Sequence, residues 1–180
     1  MTKDVLKTTS KHLSFILRHQ PESIGLTLDE NGWAEIDALI AKAAIELTPA
    51  LIEEVVSSND KKRFALSEDG VRVRANQGHS VKVDLQLAPQ VPPAVLFHGT
   101  ASQKLEAIRS QGLLKGSRQH VHLSKDPDTA RRVGQRHGKP VMLRVSSGEM
   151  HAAGEAFYLS ENGVWLCEHV SPSYLASDLD

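Results

Sequence analysis

Three prolines, Pro89, Pro92 and Pro93, fall together near the middle of this 180-residue chain. A proline has no backbone N–H to give to a helix or a sheet ladder, and it pushes the residue before it toward extended backbone. The segment therefore reads as a boundary or linker, and each side has to be explained as a unit of its own. Residues 1–88 are expected to form one lobe and residues 89–180 a second. The length suffices for two small domains with real apolar cores.

Composition works mainly by exclusion. A net charge of -1 gives no global attraction to nucleic acid, so anion binding must come from local clusters. The single cysteine, Cys167, cannot form an internal disulfide, which fits a reducing compartment. It lies in the apolar run Val164-Trp165-Leu166-Cys167 and reads as a buried structural thiol rather than a nucleophile. No apolar stretch reaches the ~20 residues of a membrane helix. A cytoplasmic, monomeric protein without a membrane partner is the expectation.

In the first half, Val5, Leu6, Leu13, Ile16 and Leu17 recur at helical spacing and Pro21 ends the pattern. This helix delivers Arg18 and His19 at its C-terminal end, where cations also serve simply to meet the helix dipole. Gly25–Leu28 is expected as a short strand, Asp29–Gly32 as a turn, and Asp37 as the N-cap of a helix reaching about Ala44. Thr48-Pro49 opens another helix that carries Leu51, Ile52, Val55 and Val56 inward. A hairpin follows: Arg63–Leu66, the turn Ser67–Gly70, then Val71-Arg72-Val73-Arg74. The alternation in that strand puts both guanidiniums on one face. It runs on into Asn76-Gln77-Gly78-His79-Ser80, a concentration of polar, charge-seeking groups that also suits a solvated, basic hairpin edge. Val81–Leu85 is expected to continue as a strand.

Helix, strand, helix, helix, hairpin is the order of a winged helix-turn-helix, a fold that usually engages nucleic acid. Residues 37–56 hold Asp37, Glu46, Glu53 and Glu54 against Lys42 alone, so duplex major-groove reading is not expected. The positive groups gather at Lys61-Lys62-Arg63, Arg72, Arg74 and the end of the first helix. They suit a few phosphates better than a sequence.

In the second half, Val95-Leu96-Phe97 reads as a strand ending in His98-Gly99-Thr100, with Ser102 capping a helix that stops at Gly112. Such a junction can bring a ligand close to backbone N–H groups. His120–Ser124 is a strand with His120 and His122 on one face and Arg118 just before it. With nine histidines a metal must be weighed, but no cysteine pair, no His-Glu-x-x-His and no carboxylate accompanies them, so none is expected. Asp126-Pro127 opens a helix whose Arg131, Arg132, Arg136 and His137 form a basic face, solvated or a rail for RNA. Val141–Val145, Ala156–Leu159 and Val164–Glu168 are strands, with Glu161-Asn162-Gly163 as a turn. The class expected is α+β, its second lobe mixed and largely antiparallel.

Five blocks in this order resemble the NAD-dependent RNA (tRNA) 2'-phosphotransferases. They are Ser10–His19, Arg74–Ser80, Phe97–Thr100, Ser117–Ser124 and Ser160–Leu166, and together they span nearly the whole chain. The resemblance implies a winged-helix RNA-binding lobe followed by an ADP-ribosyltransferase-like lobe, with the active cleft between them. It implies that an internal 2'-phosphate on RNA, such as one at a tRNA splice junction, attacks C1'' of NAD and expels nicotinamide. The ribose 2''-OH then attacks phosphorus, releasing RNA with a free 2'-OH and ADP-ribose 1'',2''-cyclic phosphate. NAD is thus a co-substrate, RNA the partner, and no metal is implied.

Residue by residue, Arg18, His19, Arg74 and Arg118 match the family's essential set. Arg18 and Arg74 are expected to grip the 2'-phosphate and Arg118 to stabilise developing charge, while His19 donates to phosphate or moves a proton. Gln77, His79 and Ser80 are expected on the RNA phosphate. His98, Gly99, Thr100, Ser102, His122 and Ser124 are expected at NAD, His98 orienting the ribose and Gly99 and Thr100 contacting the nicotinamide half. Protein-modifying relatives often place a catalytic glutamate on a later strand, and here that strand offers Val170. Lys115-Gly116-Ser117 and Ser171-Pro172-Ser173 depart from the family pattern beside these positions. Two alternatives share much of the same chemistry: a transferase that stops after ADP-ribosylating phosphorylated nucleic-acid ends, and a non-catalytic regulator that senses NAD or ADP-ribose.

Overall fold

Helix α1 (Lys3–Arg18) opens the first unit in a computed structural model of the protein, which describes residues 2–178. Its Leu13, Ile16 and Leu17 form one fully buried stripe, the i, i+3, i+4 spacing that puts side chains on a single face. His19 caps the helix and Pro21 starts a separate 3₁₀ turn, closed by Gly25 at φ 67°. Gly25–Leu28 is not a strand. The Leu26 N–H turns back to the Pro21 carbonyl, and the segment buries Leu26 without joining a ladder.

Asp29 shapes the next turn, its Oδ1 accepting from the N–H groups of Asn31 and Trp33 at 2.9 Å each. Strand β1 (Ala34–Glu35) then runs directly into α2 (Ile36–Lys42). Asp37 is therefore not the N-cap: Glu35 holds that position, the Ile36 N–H goes to the Val71 carbonyl, and Asp37 faces the dipole from the first turn. Helix α3 (Pro49–Ser58) follows the expected pattern, with Thr48 Oγ1 accepting from the Leu51 N–H at 3.1 Å. Strands β2 (Phe64–Leu66) and β3 (Arg72–Ala75) form the hairpin, and β3 lies centrally in the antiparallel order β1-β3-β2. The three helices and this sheet enclose a core of Leu13, Ile16, Leu17, Leu39, Ile52, Phe64 and Val73. Val81–Leu85 does not extend the sheet. Its backbone is taken up by the Asp29 turn, the Asp84 N–H donating to the Glu30 carbonyl and Asn31 Nδ2 to the Asp84 carbonyl.

Chain contacts divide the protein into two units between Gln86 and Leu87. The second begins with an irregular segment sewn onto its own body: Gln90 N–H donates to the Phe157 carbonyl and Ser147 Oγ to that of Pro93. Strand β4 (Leu96–Ala101) runs through His98, Gly99 and Thr100 and ends one residue beyond them. Helix α4 (Leu105–Gln111) starts after a 3₁₀ turn over Ser102–Lys104, and Ser102 makes no side-chain cap. Beyond it lie β5 (Leu113–Leu114), β6 (Val121–Leu123), α5 (Pro127–Gly134), β7 (Pro140–Val145) and α6 (Ser147–Ala152). The chain closes with β8 (Tyr158–Leu159), β9 (Trp165–Cys167), β10 (His169–Val170) and β11 (Leu175–Ser177). These strands form three small antiparallel sheets, β11-β7-β4, β6-β9-β8 and β10-β5. The expected Val164–Glu168 strand is shorter, and the chain beyond it moves to pair with β5 instead.

Glycine decides how α5 meets β4. A Cβ on Gly99 would stand 1.6 Å from the Ala130 carbonyl oxygen, and one on Gly134 would stand 2.7 Å from that of Thr100. Only bare backbone fits on both sides of this contact. Leu96, Val141, Leu143, Val145, Phe157 and Trp165 fill the core, and Cys167 is buried with them, its thiol pushed up to about 12 chiefly by burial. The protein is thus α+β with small antiparallel sheets. No helix among the described residues is long and apolar enough to cross a membrane.

Candidate active site

In the first unit the site grows from the end of α1. The last carbonyls of a helix have no partner within it, and here the Arg18 carbonyl accepts from the N–H groups of Ser80 at 2.9 Å and Val81 at 3.3 Å. The stretch after β3 is thereby latched to the helix end, 62 residues earlier in sequence for Ser80. Gly78 takes φ 89°, and its α-carbon forms a ledge under Arg18, whose side chain would lie 3.5 Å from any Cβ there. Asn76 holds the other end of the stretch, its Nδ2 donating to the Lys62 carbonyl at 2.6 Å.

Around this latch Arg18, Arg74 and His79 are each less than a tenth exposed. His79 is the innermost, at 2 %, and its Nε2 makes no hydrogen bond. Burial pulls its pKa down to about 4, with repulsion from Arg18, then Arg74 and His19, adding to the shift. The imidazole is therefore neutral near pH 7 and adds no third charge to the two guanidiniums. Arg74 and Arg72 both lie against the Trp33 ring, 4.6 and 5.6 Å from its centroid, and Arg72 also reaches Asp29 at 3.5 Å. An aromatic face is one of the few surfaces that compensates a partly desolvated guanidinium. Ser80 is exposed, and its Oγ stands 2.8 Å from His19 Nδ1. Gln77 is half-buried.

In the second unit the central residue is His98, half-buried on β4. Its Nδ1–H donates to the His122 carbonyl at 2.9 Å. That bond fixes the tautomer and leaves Nε2 as an acceptor. Burial holds its pKa below the usual histidine value, so the neutral ring is the one present at pH 7. The His122 side chain in turn accepts, at Nδ1, from Arg118 Nη1 at 3.0 Å. Arg118 itself is exposed and belongs to no helix or strand. Ser124 ties this line together structurally: its backbone exchanges two hydrogen bonds with Phe97, and its hydroxyl is used within the turn to Asp126.

The structure thus brings Arg18, His19, Arg74, Gln77, His79 and Ser80 together in the first unit, and Arg118, His98 and His122 together in the second. Gly99 and Thr100 lie on the same strand as His98, but their backbone faces α5. Ser102 gives its N–H to the Lys139 carbonyl at the far end of β4. His120 packs its ring 5.6 Å from Tyr158, and no group of three or more His, Cys, Asp or Glu among the described residues is arranged to hold a metal ion. On α5, Arg131 pairs with Asp178 at 3.7 Å, while the His137 side chain lies outside the described residues. Sequence reasoning missed Trp33 and gave Asn76 no role. The only signal for Trp33 was its place at the mouth of the Asp29 turn, and nothing in the sequence says that β1 pairs with β3.

The family model described as RNA 2'-phosphotransferase, Tpt1 / KptA family, matches residues 4–169. A protein of Pseudomonas aeruginosa named probable RNA 2'-phosphotransferase is 56% identical over 179 residues, 97% of this chain and 98% of its own. Proteins of the same name from Rhodopirellula baltica and Agrobacterium fabrum are 59% and 58% identical over 174 and 175 residues, covering 94% and 96% of this chain and 95% and 94% of their own. The chain belongs to the RNA 2'-phosphotransferase family.

Proposed function

We propose that the protein is an enzyme that removes an internal 2'-monophosphate from RNA by transferring it to NAD. The observation that carries this reading is the gathering of Arg18, Arg74 and His19 around the buried, neutral His79. A phosphate dianion calls for several fixed donors, and two guanidiniums already held in place meet it with little reorganisation. The names of the relatives support the substrate. On this reading the helices and hairpin of the first unit act as a winged-helix RNA lobe, and the second unit as an ADP-ribosyltransferase-like NAD lobe.

The dinucleotide is assigned to the second unit on the chemistry of its donor set. A neutral imidazole whose Nδ1–H is committed to the His122 carbonyl offers Nε2 as an acceptor, which suits a ribose hydroxyl. In the first step the 2'-phosphate, oriented by Arg18 and Arg74, attacks C1'' of NAD, and the C1''–nicotinamide bond breaks. In the second the ribose 2''-OH of this RNA-2'-phospho-ADP-ribose attacks phosphorus. His19 moves the proton, the bond to the RNA 2'-oxygen breaks, and ADP-ribose 1'',2''-cyclic phosphate leaves. Arg118 stabilises the charge that builds up on the way. We assign no step to a metal ion.

The test is a 5'-labelled oligoribonucleotide with one internal 2'-phosphate, incubated with and without NAD and with EDTA present. The expected result is loss of the phosphate only with NAD, accompanied by the cyclic phosphate product, and unaffected by EDTA. Accumulation of ADP-ribosylated RNA would show a transferase that stops after one step. Tight binding of ADP-ribose without any reaction would replace the reading with a regulator.

A further inference from the structure

Ser80 is exposed and small, on a latch whose Asn76, Gly78 and His79 are buried, so it stands where a direct phosphate contact would be expected. Its geometry says otherwise. Its Oγ lies 2.8 Å from His19 Nδ1 and 3.4 Å from the Arg18 carbonyl oxygen, while its own N–H holds that same carbonyl at 2.9 Å. The hydroxyl is therefore placed between one imidazole nitrogen and one backbone acceptor on the same helix end. A hydroxyl has one proton to give, and the arrangement admits two directions for it. Only one uses both neighbours: Nδ1–H donates to Oγ, and O–H donates to the Arg18 carbonyl.

That direction has a chemical consequence. A doubly protonated imidazole can only donate at Nδ1, so it accepts no other arrangement with Ser80. If the neutral ring keeps the same bond, its remaining proton also sits on Nδ1, and gain or loss of a proton occurs at Nε2 alone. The ring then changes charge without turning and without rearranging the hydroxyl. The opposite direction would require the Ser80 proton to swing away each time His19 became charged. A proton-transfer group gains most when its support does not reorganise during the step.

We propose that Ser80 is a positioning residue that fixes His19 as the Nδ1–H tautomer, so that Nε2 is the nitrogen that exchanges the proton, and that it is not itself a phosphate ligand. The role in turnover rests on the function proposed above, whereas the tautomer does not. The backbone anchors that tie this stretch to α1 belong to Ser80 N–H and Val81 N–H, so a side-chain change at 80 leaves them in place.

The test has two parts. With ¹⁵N-labelled histidine and the His19 signals assigned through His19→Asn, long-range ¹H–¹⁵N spectra at a pH where the ring is neutral read the tautomer directly. The wild type is expected to show a protonated Nδ1, and Ser80→Ala a shift toward a mixture, with an unchanged melting temperature. A neutral wild-type ring protonated at Nε2 would overturn the proposal whatever the protein's activity. In steady-state assays on 2'-phosphorylated RNA, Ser80→Ala is expected to lose roughly tenfold in kcat, the size of effect typical of an orienting partner, with KM within about twofold. Ser80→Thr, which keeps the hydroxyl, is expected to recover the rate. A raised KM at unchanged kcat would make Ser80 a phosphate ligand and refute the assignment. Absence of wild-type turnover would refute the functional reading and with it the role in turnover, leaving the tautomer to stand or fall on the spectra.

Discussion

The two groups of site residues are built by opposite means. In the first unit, side chains are brought in and held: the Arg18 carbonyl captures the stretch after β3, Asn76 pins its other end, and Arg18, Arg74 and His79 are all but removed from water. In the second, side chains are taken away: Gly99 and Gly134 let β4 and α5 approach until backbone meets backbone, and His98 sits on the strand so placed. Its arginine, Arg118, is exposed on a turn and tethered through His122. On the function proposed above, the difference suits two kinds of ligand. A compact dianion is held best by desolvated charges fixed in advance, since their interaction with it is strong and their reorganisation small. A larger dinucleotide needs a shaped backbone with a few directional polar groups.

The sharpest way to break this comparison is to give Gly99 a side chain. Gly99→Ala would place Cβ 1.6 Å from the Ala130 carbonyl, and backbone cannot yield as a flexible side chain would. The cost is expected to exceed about 4 kcal/mol, among the largest for a single substitution. Each unit carries one tryptophan, Trp33 or Trp165, so in a Trp33→Phe background fluorescence reports the second unit alone. Cooperative melting of the second unit at an unchanged temperature would show that the α5 contact is not what the glycine serves. Next in size are the arginines. Arg74→Ala and Arg118→Ala are each expected to lower kcat by ~10²–10³ in the phosphotransfer assay, the range for removing a donor from developing charge. Both variants are expected to stay folded. Arg74→Lys is expected to recover little, because a point charge does not reproduce a planar fork lying on Trp33. Full turnover by Arg74→Ala would remove it from the site.

What the sequence made legible follows from how local each feature is. The stripe of α1, the Thr48 cap, the Asp126-Pro127 start of α5 and the Ser67–Gly70 turn depend on neighbours within a few residues, and all of them are found in the structure. Asp37 was misread because Asp is a good cap in isolation, whereas the start of α2 is set by Ile36 reaching Val71 across the sheet. Gly25–Leu28 and Val81–Leu85 have strand-like composition, but their hydrogen bonds go to Pro21, Glu30 and Asn31, partners that no periodicity reveals. The polar residues of the site were visible as clusters in the chain. Their supports, Trp33 beneath Arg74 and the Arg18 carbonyl above Ser80, come from positions about 40 and 60 residues away in sequence, where only the fold makes the connection.

A smaller effect, read in stability rather than rate, tests the claim that the first unit's site is desolvated in advance. His79 is neutral in the native protein until about pH 4, while in the unfolded chain it takes up its proton near 6.5. Between those values the unfolded state binds more protons, so the first unit loses stability as pH falls through this window. By linkage the loss from this residue approaches about 3 kcal/mol below pH 4. His79→Gln removes the titration but keeps a polar side chain of similar reach. In a Trp165→Phe background, where fluorescence reports Trp33 alone, urea unfolding is expected to show a shallower acid dependence with His79→Gln than without it. Identical slopes would mean that His79 is not held neutral, and the contrast between a buried grip and an exposed Arg118 would weaken.

The smallest effect separates the aromatic supports of the two units. The Trp33 ring lies 4.6 Å from the Arg74 guanidinium and holds it against the loss of water. A partly desolvated cation–π contact is worth about 1–2 kcal/mol, so Trp33→Leu, which keeps the apolar bulk but not the ring's negative face, is expected to cost several-fold to about thirtyfold in kcat/KM. In the second unit Tyr158 packs on His120, which lies outside the Arg118–His122–His98 line. Tyr158→Leu is therefore expected to leave turnover within about twofold of wild type, since only packing is altered. If both substitutions cut the rate equally, aromatic support would be a matter of general stability. If only Trp33→Leu does, the ring acts on the placement of Arg74, and the grip on phosphate is set by a residue that never meets it.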